Sequence, residues 1–188
     1  SEVTITNVII NDNTANDHGA GMFFVNSDPI VSNTLITNNS GDASIVRAYN
    51  ADLTFTNVTI ADNNGKGFQG QISNNIFSNV TITDNSDVGV YLYQGANNSF
   101  TNVTISGNSG GGFYLSNSAS ADLLNCILWN NSSDEISGSA SDEVTVTYSN
   151  IEGGWEGEGN IDANPKFCEP DSNDYTVSEN SPCVGTGE

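Results

Sequence analysis

Apolar residues recur at fixed places along this chain and alternate with polar ones. Six phrases align without gaps on one asparagine: TITNVIINDN, IVSNTLITNN, TFTNVTIADN, IFSNVTITDN, SFTNVTISGN and LLNCILWNN. In each phrase, mostly large apolar side chains lie two places before that asparagine and one and three places after it. An alternation with a period of two predicts short strands with one buried face. Later phrases such as GMFFV, ASIVRAY, GVYLY and GGFYL predict a further strand in each repeat.

Two columns of asparagine mark the repeat, and successive members of the first column are 22 to 26 residues apart. The first column comprises Asn7, Asn33, Asn57, Asn79, Asn102 and Asn125, with a degenerate seventh member at Asn150. The second column comprises Asn13, Asn39, Asn63, Asn85, Asn108 and Asn131. Asparagine tolerates the left-handed backbone of a bend, and its amide can satisfy backbone groups there. We therefore expect both columns at corners, with inward amides stacked into ladders.

Three short strands per repeat predict a parallel β-solenoid of about six to seven turns. The pattern resembles the right-handed parallel β-helix repeat family, which has the pectate-lyase-like fold, over residues 3 to about 152. The resemblance implies an all-β, single-stranded, right-handed parallel β-helix in residues 1–152. That family contains lyases, hydrolases, epimerases and adhesins, so the resemblance does not fix an activity.

The period ends near residue 152, and residues 153–188 are predicted to form an irregular cap or linker. The phrases GNIDANPKF and SPC in this stretch resemble the closing segment of secreted bacterial β-helix surface proteins. We expect a disulfide between Cys168 and Cys183, with two reduced thiols as the alternative. Cys126 replaces valine in an inward column, which predicts a free and buried thiol. A disulfide is typical of an oxidising compartment, so we expect a secreted or cell-surface protein.

The charge balance excludes several functions, because 23 acidic residues against 3 basic ones give a net charge of −20. Binding to nucleic acids or anionic membranes requires a basic surface. The chain lacks an apolar run of the roughly 20 residues that a membrane span needs. Since it opens at Ser1 without a leader, we interpret it as a mature or excised segment. Arg47, Lys66 and Lys166 are not expected to stack on one face, which disfavours lyase chemistry on acidic polysaccharides.

Three groups of polar residues have more than one interpretation. Asp62 and Asp84 occupy equal places in consecutive repeats, about 5 Å apart along the stack. They are turn residues, calcium ligands or a catalytic carboxylate pair. His18, the one histidine, is a catalytic imidazole or a solvated loop residue, and we expect the loop residue because no serine or cysteine nucleophile can be assigned to it. The acidic residues of the cap form a solvated loop or a weak cation site: Glu152, Glu156, Glu158, Asp162, Glu169, Asp171 and Asp174.

Outward aromatic residues give the better binding candidate. With their neighbours inward, Tyr91, Tyr93 and Tyr114 are expected to face outward, joined by Phe23 and Tyr49. Such side chains suit stacking against neutral sugar rings, although they also stabilise sheets without a ligand.

A row of threonines gives a minor alternative. Thr59, Thr81 and Thr104 are expected to form an outward column like those of ice-binding proteins, without a second threonine row of equal regularity.

The sequence thus favours a non-catalytic extracellular β-helix module, structural or adhesive, that binds neutral glycans through its tyrosines. A carbohydrate-active enzyme using Asp62 and Asp84 is the alternative, and ice binding is a minor one. We expect this function to require no cofactor, and we keep a bound calcium ion as an open alternative. The open edge of the first turn is expected to be covered by upstream turns of a longer chain or by head-to-tail self-association.

Overall fold

The computed structural model describes residues 3–94, 97–139 and 142–187, and these residues form short strands with one 3₁₀ turn at Pro170–Ser172. The strands, in chain order, are β1 Thr4–Thr6, β2 Ile9–Asn11, β3 Thr14–Ala15, β4 His18–Val25, β5 Ile30–Thr37, β6 Ser40–Tyr49, β7 Thr54–Ala61, β8 Asn64–Gln71, β9 Ile76–Thr83, β10 Val90–Tyr93, β11 Asn97–Ser106, β12 Phe113–Ser116, β13 Ser120–Leu124, β14 Ile127–Trp129, β15 Ile136–Gly138, β16 Glu143–Thr147, β17 Asn150–Ile151, β18 Phe167–Glu169 and β19 Asp174–Val177.

Each turn of the solenoid, which we call a coil, contains three faces separated by three corners. In the coil that begins at Thr54, the corner residues are Asn57, Asp62 and Ile72, with φ of 54°, 57° and 53°. Face 1 precedes the first corner, face 2 follows it, and face 3 follows the second corner. Consecutive coils pair in parallel, with Phe55 beside Phe77 and Phe77 beside Phe100. The predicted parallel β-solenoid of about six coils is confirmed.

The core is a continuous apolar column inside the coils. Phe55, Phe68, Phe77, Phe100 and Phe113 are at most 1% exposed. Phe77 and Phe100 stack with ring centroids 4.6 Å apart, while Phe68 meets Phe77 edge-on at 4.9 Å. Because equal positions of successive coils lie one strand spacing apart, each buried ring touches its counterparts in the next coils.

The second asparagine column forms a ladder along the axis that is buried from Asn39 to Asn131, as predicted, whereas Asn13 in the first coil is exposed. Each side-chain amide donates to the Oδ1 atom of the next asparagine towards the C terminus, from Asn13 through to Asn131, at 2.9 to 3.2 Å. The backbone N–H of each donor residue bonds to the same oxygen. We call this column the inner ladder. Breaking a buried member leaves unsatisfied polar groups and costs about 1–3 kcal/mol.

The prediction that the first asparagine column also points inward is wrong. Its members occupy the first corner with φ of 48° to 57°, and from Asn7 to Asn102 they are exposed. Their amides nevertheless bond along the axis, from Asn57 to Asn33, Asn79 to Asn57 and Asn102 to Asn79, at 3.0 to 3.3 Å. A side chain at a left-handed corner points out of the bend, so this outer ladder lies on the surface.

The last coil departs from the predicted register. Leu123 pairs with Val146, and Ile127 pairs with Asn150. Tyr148, with φ of 49°, therefore occupies in the last coil the corner that Asn125 occupies in the preceding coil. Asn150 is consequently not a seventh member of the outer ladder. The pattern failed here because a tyrosine occupies the left-handed corner that asparagine fills in the other coils.

The predicted disulfide is absent, because Cys168 and Cys183 are free thiols. Cys168 is exposed on β18, whereas the sulfur of Cys183 accepts a hydrogen bond of 3.2 Å from the Asn150 amide. The two thiols thus have different neighbours. Cys126 is buried as predicted, and burial raises the pKa of its thiol to about 12.

Among the described residues there is no helix with the length and apolarity that a membrane crossing needs.

Candidate functional site

Face 3 carries the largest group of outward aromatic side chains. Its strands alternate, so that Val90, Leu92, Phe113 and Leu115 are buried and their neighbours face outward. The register aligns these outward residues in two rows across the coils. One row contains Phe23, Arg47, Gln69, Tyr91 and Tyr114, and the other contains Val25, Tyr49, Gln71, Tyr93 and Ser116.

Three tyrosines from these rows form one cluster, which we call the tyrosine face. The ring centroids of Tyr91 and Tyr114 are 5.4 Å apart, and those of Tyr91 and Tyr93 are 6.3 Å apart. Tyr114 is 45% exposed, and the other two rings are half-buried. The hydroxyl of Tyr91 lies 3.4 Å from Ser116 Oγ. The cluster therefore combines flat apolar surface with hydroxyl groups on neighbouring strands.

Two of the three basic residues lie on neighbouring strands of face 3 without stacking on each other, because Lys66 pairs with Ser44 and Arg47 pairs with Gln69. Lys66 lies in β8 rather than in a turn, and Arg47 lies in the adjacent β6. The Lys66 ammonium is 6.0 Å from the Tyr91 ring centroid and 2.9 Å from Asp87 Oδ2. The position of Lys66 in a strand was not predicted, because the phrase NNGKG is typical of a turn. In the structure, Gly65 and Gly67 lie within β8.

Arg47 is held among aromatic and amide groups. Its guanidinium carbon is 5.7 Å from the Phe23 centroid and 5.9 Å from that of Tyr49. Its Nη2 donates to Gln71 Oε1 at 2.8 Å, while Nε and Nη1 are buried without a partner. Burial lowers the pKa of this guanidinium from its usual value.

His18 lies in β4, not in a solvated loop, and sequence reasoning missed its partner Ser44. The Ser44 hydroxyl is 3.4 Å from His18 Nδ1, and Asp17 Oδ1 is 3.4 Å from Nε2. Burial and nearby Arg47 lower the pKa of the imidazole. The three residue types match those of a nucleophilic triad, but Ser44 is 0% exposed and a substrate does not reach its hydroxyl.

Asp62 and Asp84 lie at the second corner in consecutive coils, where the antiparallel pair β18 and β19, which we call the C-terminal hairpin, contacts both. Asn173 donates to Asp62 Oδ2, and the Tyr175 hydroxyl donates to Asp84 Oδ2, each at 2.7 Å. Burial raises the pKa of Asp84, and Asp62 adds to this effect, whereas the Tyr175 bond opposes it. The hairpin is remote in sequence, so the repeat pattern did not indicate this contact.

The acidic residues of the cap remain largely in solvent, and residues 152–159 are all exposed. Across residues 3–94, 97–139 and 142–187, no three or more His, Cys, Asp or Glu side chains are grouped in a way that could hold a metal ion. The predicted calcium ligands Asp62 and Asp84 form a pair rather than a larger set of carboxylates.

The threonine column of face 2 is in register, with Thr59, Thr81 and Thr104 on adjacent strands. Apolar residues flank the column at both ends, Leu35 on one side and Ile127 on the other. A second hydroxyl row alternates serine and threonine on the other side of the outer ladder: Ser32, Thr56, Ser78 and Thr101. The hydroxyl surface thus spans a corner and mixes two residue types.

Comparison with known proteins identifies the architecture. A family model described as right handed beta helix region matches residues 1–98 and 43–181. No curated protein matches the chain. The solved structure of pectate lyase Pel9A superposes with a TM-score of 0.56 at 15% identity, covering 75% of this chain and 53% of that one. The chain therefore spans about half the length of that lyase, and the likeness shows the fold alone.

A second solved structure is more distant. It is a trypsin-treated form of QnrB1, a plasmid-mediated fluoroquinolone resistance protein. Its TM-score is 0.26 at 14% identity, with 82% of this chain and 73% of that chain covered.

Proposed function

We propose, from the premise that the chain belongs to the right-handed β-helix family, that it is a non-catalytic extracellular module that binds neutral glycans through the tyrosine face. The observation that carries the proposal is the contact of three partly exposed tyrosine rings on one outward sheet surface. Aromatic faces pack on the C–H faces of sugar rings, and phenolic hydroxyls bond to sugar hydroxyls. A net charge of −20 favours neutral over anionic glycans.

Two further observations support an absence of catalysis. The carboxylates of Asp62 and Asp84 are bonded to the C-terminal hairpin, so they do not face an open groove. The hydroxyl of Ser44 is buried beneath His18. The extracellular location is supported by the phrases GNIDANPKF and SPC, which resemble those of secreted bacterial β-helix proteins. No cofactor is part of the proposal.

Affinity electrophoresis in gels that contain soluble xylan, mannan or mixed-linkage glucan tests the binding. We expect retardation by at least one neutral polysaccharide and less by polygalacturonate. Tyr91→Ala and Tyr114→Ala should each weaken binding about tenfold, since each removes one stacking ring. Trp129→Ala is the matched control, because it removes a half-buried aromatic ring from β14, which belongs to the other sheet. Unchanged binding in both tyrosine variants would leave the rings a purely structural role.

The enzymatic alternative is tested on the same polysaccharides. We expect neither new reducing ends nor unsaturated products from the purified protein. Turnover that is lost in both Asp62→Asn and Asp84→Asn would overturn the non-catalytic proposal.

The proposal includes a covered edge at the first coil. Strands β1 to β4 pair with β5 and β6, and within the described residues they have no partner on their other side. Exposed Ile9 and Phe23 lie in this coil. An upstream coil or a second copy would pair with these strands. Light scattering on the chain as it stands should show self-association, and a monodisperse monomer would argue against a second copy.

A further inference from the structure

The C-terminal end of the solenoid carries two adjoining cavities of about 470 and 530 Å³. Both are lined by Asp134, Ile136 and Trp155, so we treat them as one feature, the end groove. Its apolar lining is the last layer of the core, where Leu115 and Ile151 are buried and Ile136 is half-buried. The indole of Trp155 is 37% exposed and lines both cavities. The groove therefore offers apolar and aromatic surface at the end of the core.

Carboxylates concentrate in this groove. Glu135 and Glu152 line one cavity, Asp142 lines the other, and Asp134 lines both. No described residue that lines either cavity is lysine, arginine or histidine. Glu135 is 8% exposed, and the neighbouring Glu152 accepts a hydrogen bond of 2.6 Å from the Asn130 backbone N–H. The groove thus presents negative charge that no cation of this chain neutralises.

A strand edge borders the same groove. Strand β15 pairs with β12, and within the described residues it has no strand on its other side. Ile136, Ser137 and Gly138, which are the whole of β15, line the second cavity. An extended peptide can add to such an edge through main-chain hydrogen bonds, with alternate side chains entering pockets.

We propose that the end groove binds an extended basic peptide segment of a partner protein, which adds a strand to β15 and places a lysine or arginine side chain against Trp155 and Glu152. The charge complementarity selects this occupant, because the groove is acidic and a cation gains from both carboxylate and indole. The aliphatic stem of that side chain covers the apolar lining. A second copy of this chain fits the acidic lining less well than a basic peptide does, because the whole chain has only 3 lysine and arginine residues against 23 acidic ones.

Proton linkage gives the proposal a second signature. Burial, and with it the neighbouring Glu152, raises the pKa of Glu135 to about 7. A bound cation favours the ionised carboxylate, so binding releases a proton and strengthens as the pH rises through about 7. The other titratable groups of the groove are Asp134, Asp142 and Glu152.

Calorimetric titration of the full chain with a blocked hexapeptide of alternating valine and lysine tests the proposal. We expect binding that Glu152→Gln and Trp155→Ala each weaken about five- to tenfold. Asp12→Asn, which makes the same charge change at the other end of the solenoid, should leave binding unchanged. Thermal melting confirms that each variant is folded, and Trp155→Phe, which retains an aromatic face, should retain most of the affinity.

Three results would overturn the proposal. They are an absence of binding, equal weakening by Asp12→Asn and Glu152→Gln, and equal binding of a matched valine–glutamate peptide. Hydrogen exchange distinguishes strand addition from general charge attraction, because charge attraction alone does not protect backbone amides. Bound peptide should protect the amides of Ile136–Gly138, and unchanged exchange there would refute strand addition.

Discussion

The side-chain amide of Asn131 donates a hydrogen bond of 2.5 Å to one carboxylate oxygen of Glu135, and its backbone N–H donates one of 3.1 Å to the other oxygen. In every earlier member of the inner ladder, the side-chain amide and the backbone N–H both donate to the side-chain oxygen of the next asparagine. Asn131 is the last member and has no successor. A buried glutamate from the same coil therefore ends the ladder, because a carboxylate supplies two acceptor atoms.

Removing the Glu135 carboxylate should destabilise the C-terminal coil. We expect Glu135→Ala to lower the free energy of unfolding by about 1–3 kcal/mol, because the buried backbone N–H of Asn131 loses its acceptor and its side-chain amide keeps only the Ile105 carbonyl. Glu135→Gln retains one acceptor and should cost less. Urea unfolding followed by circular dichroism measures both, with exposed Glu143→Gln as the control. Equal stability of all three variants would contradict the role of Glu135.

Stability should also depend on pH through this group. The pKa of Glu135 in the folded chain is about 7, above the usual 4.5, so the folded state holds a proton that the unfolded state has lost between these values. The stability contribution is fully present below about 4.5 and is lost as the pH rises through 7. Urea midpoints across this range should fall for the parent chain. The fall should be smaller in Glu135→Gln, and parallel profiles would argue against the assignment.

The two asparagine ladders should differ in their contribution to stability. Asn85→Ala removes a buried amide and should cost about 1–3 kcal/mol. Asn79→Gly removes an exposed amide and keeps the left-handed corner, so it should cost under about 1 kcal/mol. Asn79→Ala should cost more than Asn79→Gly, because alanine strains that corner. Chemical unfolding of the three variants measures the order, and a larger loss for Asn79→Gly than for Asn85→Ala would contradict it.

The C-terminal hairpin should loosen when its bond to Asp84 is removed. Tyr175→Phe keeps the ring contact with Phe167, whose centroid is 5.0 Å away, and removes the hydroxyl donor. We expect faster hydrogen exchange across β18 and β19 and a loss of about 1 kcal/mol. Tyr114→Phe on the tyrosine face is the control. Identical exchange in both variants would show that the hydroxyl does not hold the hairpin.

Thiol reactivity should follow burial. Exposed Cys168 should react first with a disulfide reagent, half-buried Cys183 more slowly, and Cys126 after unfolding, since burial raises its pKa to about 12. Three reactive thiols are expected in denaturant without reductant. One reactive thiol there would instead indicate the Cys168–Cys183 disulfide.

The repeat made most of the fold predictable. Each coil places Phe, Val or Ile at the same inward positions, and those columns are buried as the period of two requires. The outward direction of the first asparagine column was missed because the left-handed corner interrupts the period-two alternation, which taken alone places that position inward. The contact of Tyr175 with Asp84 joins residues 91 apart in sequence. The end of the inner ladder at Glu135 was also missed, since EIS carries no repeat signal.

The inner ladder donates towards the C terminus, whereas the outer ladder donates towards the N terminus. Rows of aligned amides each carry an electric dipole, and here the two dipoles point in opposite directions along the axis. The outer row therefore offsets part of the dipole that the inner row accumulates as coils are added.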